Sequence, residues 1–377
     1  MRIAVLDAIT KDLKLRNQWN DLVLRSEDPQ VFYTYEWSLA VERAYSAILR
    51  PLVVVLYDES ECLAGVVSLA LNPETNAVSF LCANTGDYCD FVSLPERKTS
   101  FVCSVLNHLR DRRTTQITLT NLPADSTTVV ALEQNSRAAG YHFFARTAYI
   151  CAQVCLGRIE RRAGGKLELP GRKMVRRSLS SLGRESPVSL DHARTYDAIA
   201  AHLPEFMQAH IARFEATGRV SNLARPERQL FLLELAKLLA DEGWVVLTRM
   251  VAGDRTLAWN YGFRFQGSLF WYQPTFDTTL EQYSPGFCML SMLIEEASGD
   301  PELRLVDLGL GAEGYKERFA NQNRRTVYVT LRSSLTMHLT EVLRYRIAQF
   351  IKFFPRLERL LRQLIWQRKP SRVTHEI

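Results

Sequence analysis

Long hydrophobic runs and closely spaced cysteines are both missing from this sequence. No stretch of about 18 uncharged apolar residues occurs, so no segment is expected to span a membrane. The first residues include Asp7 and Asp12 and lack a long apolar core, which is not the pattern of a secretory signal. The seven cysteines are odd in number and form no CxxC pair. These absences predict a cytoplasmic protein without a metal site.

A net charge of one sign is also missing from most of the chain. The sequence carries 47 Lys and Arg against 41 Asp and Glu, a formal net charge of +6. Residues 336–377 hold nine Lys or Arg and three Glu, a surplus of six, so residues 1–335 balance to zero. The basic character therefore belongs to the C-terminal tail, and the balanced body argues against a nucleic acid as partner.

The stretch 283–318 contains a pattern typical of an anion site. A predicted strand over Ser268–Thr275 is followed by Ser284, Pro285 and Gly286 at the start of a predicted helix. The first N–H groups of a helix have no partner within it, and the helix dipole favours negative charge there. Gly286 would let a phosphate approach the backbone closely. The alternative is that Ser-Pro-Gly only caps an ordinary helix.

The predicted helices and strands follow the same order in both halves of the chain. Each half has two helices, a meander of three strands, and then a helix, a strand, a helix and a strand. Short turns make the meander strands antiparallel, and crossovers through helices introduce parallel pairs. The fold class is therefore mixed α/β. We expect one domain in residues 1–156, a linker in 157–171, a second domain in 172–332 and a basic tail in 333–377.

The tail has an amphipathic pattern over residues 335–366. Apolar residues recur at helical spacing, arginines and Lys352 fill the other face, and Pro355 predicts a kink. Such a helix can lie on a membrane surface or cover an apolar patch of the body, and the sequence leaves both open.

Six motifs, spread over roughly residues 19–332, carry a family resemblance through their order and spacing. They are VFYTYEWSLAV (31–41), DYCDF (87–91), RKMVRRSLSSL (172–182), HIARF (210–214), YSPGFCML (283–290) and DLGLGAEGYKERF (307–319). Together they resemble the GNAT superfamily of acyltransferases, and within it the CelD-like and FemAB-like branch with tandem GNAT domains.

The resemblance implies transfer of an acyl group from acyl-CoA to an amine. It also implies that the pyrophosphate of coenzyme A lies on the helix start formed by Ser284, Pro285, Gly286 and Phe287. The proline departs from the usual Gly-rich loop and removes one N–H donor. We expect only the second half to bind coenzyme A, because the first half has Glu96 where the anion would lie.

The implied chemistry needs three groups. The attacking amine must be neutral, so its ammonium form must lose a proton. The oxyanion needs donors, which we expect from strand N–H groups near Gln273. The leaving thiolate needs an acid, and Tyr315 lies where GNAT proteins often have a tyrosine acid. The alternative for Tyr315 is a half-buried aromatic packed on the sheet.

Four further residues are candidates for proton transfer or charge stabilisation. Glu313 at a helix start and Asp307 at a strand end are candidate bases, although a carboxylate at a helix start also stabilises the helix alone. Lys316 is a candidate contact for phosphate or oxyanion, as the likeness to FemAB-like enzymes implies, or a solvated lysine. His210 is a candidate base or acceptor contact, or a histidine with only a structural role.

A basic run and an aromatic run accompany these candidates. The basic run lies on one predicted helix and gives either a solvated face or a rim that attracts anionic ligands, at Arg172, Lys173, Arg176 and Arg177. The aromatic run alternates with the period of a strand, at Trp259, Tyr261, Phe270, Trp271 and Tyr272. At least half of it is therefore expected to belong to the core. The remainder can hold an acyl chain or a sugar ring.

The first functional hypothesis is a cytoplasmic N-acyltransferase at the inner face of the membrane. It would use acyl-CoA on an amine of a cell-envelope precursor, either an amino sugar or a lipid amine, in polysaccharide biosynthesis. One alternative takes the acyl group from aminoacyl-tRNA, as FemAB-like proteins do, and another is a non-catalytic scaffold for polysaccharide assembly. The sequence is compatible with a homodimer.

Overall fold

The structure is a computed structural model that describes residues 2–160, 167–311 and 313–352. We call residues 2–160 the first half and residues 167–332 the second half. The first half contains, in chain order, β1 (Arg2–Leu6), α1 (Leu13–Leu24), α2 (Tyr35–Tyr45), β2 (Arg50–Tyr57), β3 (Leu63–Asn72), β4 (Ala77–Phe80), β5 (Val92–Ser93), α3 (Lys98–Asp111), β6 (Gln116–Pro123), α4 (Thr127–Asn135) and β7 (His142–Cys155). The second half contains α5 (Arg172–Leu182), β8 (Val188–Ala193), α6 (Tyr196–Ala216), α7 (Pro226–Leu239), β9 (Val245–Ala252), β10 (Arg255–Phe265), β11 (Ser268–Phe276), α8 (Pro285–Ala297), β12 (Leu305–Asp307), α9 (Gly314–Phe319) and β13 (Gln322–Arg332), and α10 (Leu335–Lys352) follows it.

This order confirms the predicted mixed α/β class. The long elements form where apolar residues follow the period of the element. In α7, for example, Pro226 fits the first helical position, and Phe231, Leu235 and Leu239 are fully buried at helical spacing. The edge strands β1 and β8, which the sequence patterns did not indicate, pair with β2 and β9 at the two ends of the sheet.

One mixed sheet joins the two halves, although the sequence predicts a sheet for each. Its strand order is β1-β2-β3-β4-β6-β13-β7-β12-β11-β10-β9-β8, with β5 paired to β3. The last strand of each half lies in the other half's part of the sheet, because β13 pairs with β6 and β7 pairs with β12. The two exchanged strands also pair with each other, from Gln322–Gln153 to Arg332–His142. The exchange makes the halves structurally interdependent.

The halves run in opposite directions within this sheet. Each contains one parallel pair, β4 with β6 and β11 with β12. Three antiparallel pairings separate β6 from β12, so these two strands point in opposite directions. The carboxyl ends of the two parallel pairs therefore face opposite edges of the sheet, and each edge carries a cleft.

An aromatic cluster packs the two halves together. Phe32 and Trp37 of the first half contact each other with ring centroids 4.8 Å apart. Trp37 lies 5.1 Å from Phe263 of the second half, which lies 5.1 Å from Tyr272. These edge-to-face contacts each add about 1 kcal/mol beyond the buried area. The main core thus crosses the boundary between the halves and fixes Tyr272 beside the first half.

A buried carboxylate at the centre of the sheet is bonded from three sides. Asp307, at the end of β12, is 2% exposed. One oxygen accepts hydrogen bonds from the Tyr88 hydroxyl and the Gln153 amide, both at 2.8 Å. The other accepts from the Gly309 N–H at 2.8 Å. Asp307 therefore links a loop of the first half, the exchanged strand β7 and the loop that follows β12.

The helix α10 packs on β7 and β13 with its more polar face. Tyr345 contacts Phe144 at 5.4 Å between ring centroids, and Glu341 accepts a 2.9 Å hydrogen bond from Arg332. The opposite face is apolar and 48–60% exposed at Leu335, Leu339, Leu343 and Ile347. The continuation of the predicted helix to residue 366, with Pro355, lies outside the described residues. No described helix is long and apolar enough to cross a membrane.

The contacts of Asp307 predict a measurable cost for removing one donor. Tyr88→Phe is expected to lower the free energy of unfolding by about 1.5–3 kcal/mol, because the lost bond reaches a buried ionisable group. Tyr141→Phe is the matched control, since the buried Tyr141 hydroxyl donates to the neutral Thr114 carbonyl at 3.1 Å. Urea unfolding measures both variants. A loss for Tyr88→Phe no larger than that for Tyr141→Phe would contradict the central role of Asp307.

Candidate active site

β11 separates from β12 part-way along its length and leaves an opening in the sheet. Within β11, only Ser268–Phe270 pairs with β12. In the pairing with β10, Phe263 opposes Phe270 whereas Tyr261 opposes Gln273, so β11 has one extra residue at Trp271–Tyr272. This is a β-bulge, which bends the strand and redirects its side chains. Trp271 packs in the apolar cluster of α8, and Tyr272 packs on the side of α7. The opening therefore has an α8 face and an α7 face.

The start of α8 lies on one face of the opening. Ser284 occupies the N-cap position, as predicted, but its left-handed backbone (φ 50°, ψ 55°) leaves its side chain without a capping hydrogen bond. The N–H groups of Phe287 and Cys288 reach the Ser284 carbonyl at 3.1 Å. Pro285 has no N–H, and the Gly286 N–H makes no hydrogen bond within the described chain. A Cβ at Gly286 would meet only Phe276, at 3.4 Å. The helix start is therefore open to a ligand.

Basic side chains surround this helix start. The predicted basic run of α5 is exposed, and α5 packs on α8. The Arg318 guanidinium lies 4.6 Å from the centre of the Phe287 ring, beside Gly171. On the other side Arg213 donates to the Pro274 carbonyl at 3.0 Å, and burial lowers its pKa. The resulting positive field favours an anion at the start of α8.

Tyr315 lies in the opening on the α8 face. Its hydroxyl oxygen accepts a 3.0 Å hydrogen bond from the Trp271 indole N–H. Burial raises the pKa of Tyr315 to about 12, so the phenol is protonated at neutral pH. The hydroxyl can thus donate a proton or a hydrogen bond to a group that develops negative charge next to β11.

A buried lysine, Lys316, stabilises the loop between β12 and α9. Lys316 is 5% exposed, which contradicts its interpretation as a solvated helix lysine. Its amine donates to the Leu310 carbonyl at 3.0 Å and lies 2.6 Å from the Glu313 carboxylate. Glu313 makes no capping hydrogen bond, because its side chain is engaged in this ion pair. Gly309 and Gly311 have positive φ, which only glycine adopts readily.

A cleft of about 750 Å³ lies on the α7 face of the opening. Its walls come from both halves, with Asp87 and Arg146 from the first and Asn222, Arg228 and Gln273 from the second. The α8 face and this cleft meet at the bulge of β11. A ligand at the helix start and a second molecule in the cleft can therefore approach each other through the opening.

Asp87 is a polar residue of this cleft that the sequence analysis did not single out. Burial and the neighbouring Asp307 carboxylate raise its pKa to about 7. It packs so closely on the loop after β12 that a Cβ at Gly309 would lie 2.5 Å from its oxygen. Asp87 belongs to the DYCDF motif, which carried part of the resemblance but no assigned role. The presence of an acidic side chain in this motif is the sequence feature that could have indicated a proton acceptor here.

Asp87 reaches the cleft of the second half because the first half has an inserted loop between β4 and β5. In the first half, β5 pairs with β3 at Gly65–Ser93. This pairing corresponds to that of the end of β11 with β10 in the second half. Residues 81–91, between β4 and β5, therefore occupy the position of the bulge in the second half. There the second half has one extra residue, whereas the first half has a loop that crosses into the other cleft.

His210 lies behind the cleft wall. It is 2% exposed, and its ring nitrogens contact the Ser221 hydroxyl at 2.8 Å and the Gln273 amide at 3.4 Å. Burial, followed by Arg213, lowers the pKa of His210 to about 4, so its ring is neutral at pH 7. Arg228 donates to the Tyr272 hydroxyl at 2.6 Å and to Gln273 at 3.2 Å. His210 and Arg228 together orient Gln273.

Comparisons with known proteins show which family the domain around this opening belongs to. Residues 171–317 match the family model of an acetyltransferase (GNAT) domain. Residues 171–317 of this chain form a GNAT domain. The GNAT match includes β11, β12, all of α8 and Tyr315, so the opening lies inside the GNAT domain. A search of curated proteins gives no match.

Solved structures share the GNAT-like fold over both halves of the chain. The structure of FemX matches 91% of this chain and 99% of its own, with a TM-score of 0.57 and 11% identity. The C-terminal domain of a putative lysylphosphatidylglycerol synthetase from Agrobacterium fabrum matches 87% of this chain and 93% of its own, with a TM-score of 0.55 and 12% identity. L-PGS from Bacillus licheniformis matches 78% of this chain and 88% of its own, with a TM-score of 0.50 and 12% identity. At such identities the likeness is one of fold.

Proposed function

We propose that this GNAT protein is an N-acyltransferase that moves an acyl group from acyl-CoA to an amine of a cell-envelope precursor. The observation that carries the proposal is the opening at the bulge of β11. On one face of the opening lies the uncapped start of α8, surrounded by basic side chains, and on the other lies the cleft that contains the Asp87 carboxylate. This arrangement suits direct transfer from a thioester to an amine, because it can hold donor and acceptor close together in the right orientation.

On the α8 face, the pyrophosphate of coenzyme A would lie at the start of α8, where the Gly286 N–H has no hydrogen bond within the described chain. Arg318 and the exposed arginines of α5 would neutralise its charge. The pantetheine arm would run along the separated part of β11 and bring the thioester to the bulge. The backbone at Trp271–Gln273 is the nearest source of N–H donors for the oxyanion.

The reaction proceeds by attack of the amine nitrogen on the thioester carbon and loss of the thiolate. Asp87 accepts the proton that the amine gives up, because its pKa near 7 suits a base at neutral pH. Tyr315 gives its proton to the leaving sulfur as the C–S bond breaks. An amide and free coenzyme A result, and water returns both residues to their starting protonation.

Four of the predicted candidates fit positioning roles better. Both oxygens of Asp307 are filled by donors, Glu313 is paired with Lys316, and His210 contacts polar partners at both ring nitrogens. We assign Asp307 to the support of Asp87 through the intervening loop. The pair of Lys316 and Glu313 shapes the loop over 309–311, and His210 orients Gln273.

The acceptor class and the alternative donor follow from resemblance and surface charge. The chain shares its fold with a putative lysylphosphatidylglycerol synthetase and FemX, which favours a cell-envelope acceptor. An aminoacyl-tRNA donor is the second candidate, because FemAB-like proteins use one and the exposed basic face of α5 borders the donor site. A scaffold that has lost donor binding is the third.

Gly286→Leu tests the donor site. Coenzyme A, acetyl-CoA or palmitoyl-CoA at about 100 times its dissociation constant is expected to raise the melting temperature by about 5 °C, since it binds only the folded state. Gly286→Leu should abolish the shift, because its side chain fills the open space at the helix start. Gly299→Leu, beyond the other end of α8, is the control and should retain the shift. An unshifted wild type that binds tRNA would support the aminoacyl-tRNA donor, and one that binds neither would support the scaffold.

Asp87→Asn tests the base. In the wild type, kcat/KM for acyl transfer should show a rise with pH centred near 7, because only the ionised carboxylate accepts a proton, and this rise is separate from the one that the acceptor amine gives at its own pKa. Asp87→Asn should lower it by about 10²–10⁴-fold and remove that rise. Tyr315→Phe should lower the rate and leave the rise in place. Release of coenzyme A thiol with a panel of amino sugars and lipid amines measures both. An unchanged pH profile in Asp87→Asn would overturn the assignment.

We further propose that the apolar face of α10 contacts the membrane. This face is exposed, Arg344 and Arg346 are exposed beside it, and the tail sequence carries the whole net charge of the protein. Apolar burial and attraction to anionic lipid act together in such a helix. The site would then work close to a lipid-linked or membrane-proximal acceptor.

The double change Leu339→Gln with Leu343→Gln tests this contact. It should weaken sedimentation with phosphatidylglycerol-containing vesicles by about tenfold or more, because two exposed leucines lose their burial in lipid. The control is Thr336→Gln with Thr340→Gln, which changes neighbouring exposed positions and keeps the leucines. Equal sedimentation of both double variants, or none of the wild type, would rule the contact out.

A further inference from the structure

A second cleft, of about 910 Å³, lies at the opposite edge of the sheet. It is the first half's counterpart of the cleft that contains Asp87. It lies beside the loop between α1 and α2, as the other cleft lies beside the loop between α6 and α7. The acyl-transfer proposal uses none of its residues except Asp307, at its floor.

Three buried polar atoms in this cleft have no hydrogen bond within the described chain, and one of them, Asp28 Oδ2, lies in an ion pair with Arg324. The Tyr33 hydroxyl makes no hydrogen bond, although Tyr33 is only 7% exposed. Gln30 is 8% exposed, and its amide nitrogen donates to Asp28 at 2.8 Å while its oxygen has no donor. Buried polar groups are nearly always hydrogen-bonded, so a missing partner indicates a ligand or bound water.

The charges inside the cleft select a cation. Asp28 and Asp125 share the Arg324 guanidinium, at 2.8 and 3.2 Å. Asp90 accepts from the Ser126 hydroxyl at 2.7 Å. The buried Lys98 also lines the cleft, where its amine donates to the Phe91 carbonyl. Two carboxylates on one guanidinium, with Asp90 nearby, leave the part of the cleft around the Tyr33 hydroxyl negative, and burial together with Asp90 raises the pKa of that hydroxyl. An ammonium group would satisfy the unfilled Gln30 oxygen and the negative charge together.

The walls and the mouth favour a polyhydroxylated molecule with an acidic group. Exposed amide side chains stand in the walls at Gln266 and Asn323, and each can both donate to and accept from a hydroxyl group. The amides of Gln153 and Gln322 are bonded to each other, to Asp307 and to Arg158. Arg304 and Arg325 stand among the lining residues, and Arg325 is exposed. They suit an anion at the outer end of the ligand.

We propose that this cleft binds an amino sugar that bears a phosphate or carboxylate, with its amine towards Gln30, Tyr33 and Asp90 and its acidic group towards Arg325. The site is distinct from the acyl-transfer cleft and stands whether or not that proposal holds.

Isothermal titration of the full chain with glucosamine 6-phosphate tests the proposal. Saturable one-site binding is expected in the wild type, and glucose 6-phosphate, which lacks the amine, should bind at least tenfold more weakly. Tyr33→Phe should weaken binding by about 3–10-fold, the effect of one hydrogen bond. This variant should keep the wild-type melting temperature, because the hydroxyl has no internal partner to lose. Arg325→Ala should weaken binding of the phosphate by a similar factor.

Asn222→Ala, in the other cleft, is the matched control and should bind as the wild type does. The proposal is overturned if the wild type shows no saturable binding, or if Tyr33→Phe and Arg325→Ala both bind normally. It is also overturned if Asn222→Ala abolishes binding, since the ligand would then occupy the acyl-transfer cleft.

Discussion

The buried carboxylate of Asp307 is the constraint on which the site depends. A carboxylate at 2% exposure is stable in a protein only when donors fill its oxygens, and its donors come from three separate segments. They fix the loop over 81–91, the exchanged strand β7 and the turn after β12 at one point. The same carboxylate lies close enough to Asp87 to raise its pKa, so the interaction that joins the halves also tunes the proposed base.

The exchange of β7 and β13 explains why one site is built from two similar halves. Because each last strand lies in the other half's part of the sheet, loops of the first half reach the edge where β11 and β12 separate. The first half then contributes an acid in place of a bulge. Its own cleft, at the opposite edge, remains available for a different ligand. The duplicated architecture thus yields two unlike clefts.

The sequence was sufficient to predict what depends on local periodicity. The apolar spacing of α7, the meander β9–β11 and the helix start at Pro285 all formed as predicted. Interactions between distant segments could not be predicted: the exchange of last strands, the burial of Lys316 and the arrival of Asp87 beside Gly309 arise from pairings over long sequence distances. Ser284 shows the limit locally, since its type suits capping but its left-handed backbone prevents it.

Hydrogen–deuterium exchange of the full chain with and without acetyl-CoA tests the central claim, that one opening at β11 serves the donor and is completed by the first half. The account predicts slower exchange in the first turn of α8 (286–288), in the loop over 309–311 and in the first-half loop over 84–87. Exchange in the first turn of α3 (98–100) should not change. Slower exchange at α3 with none at α8, or no effect on the loop over 84–87, would contradict it.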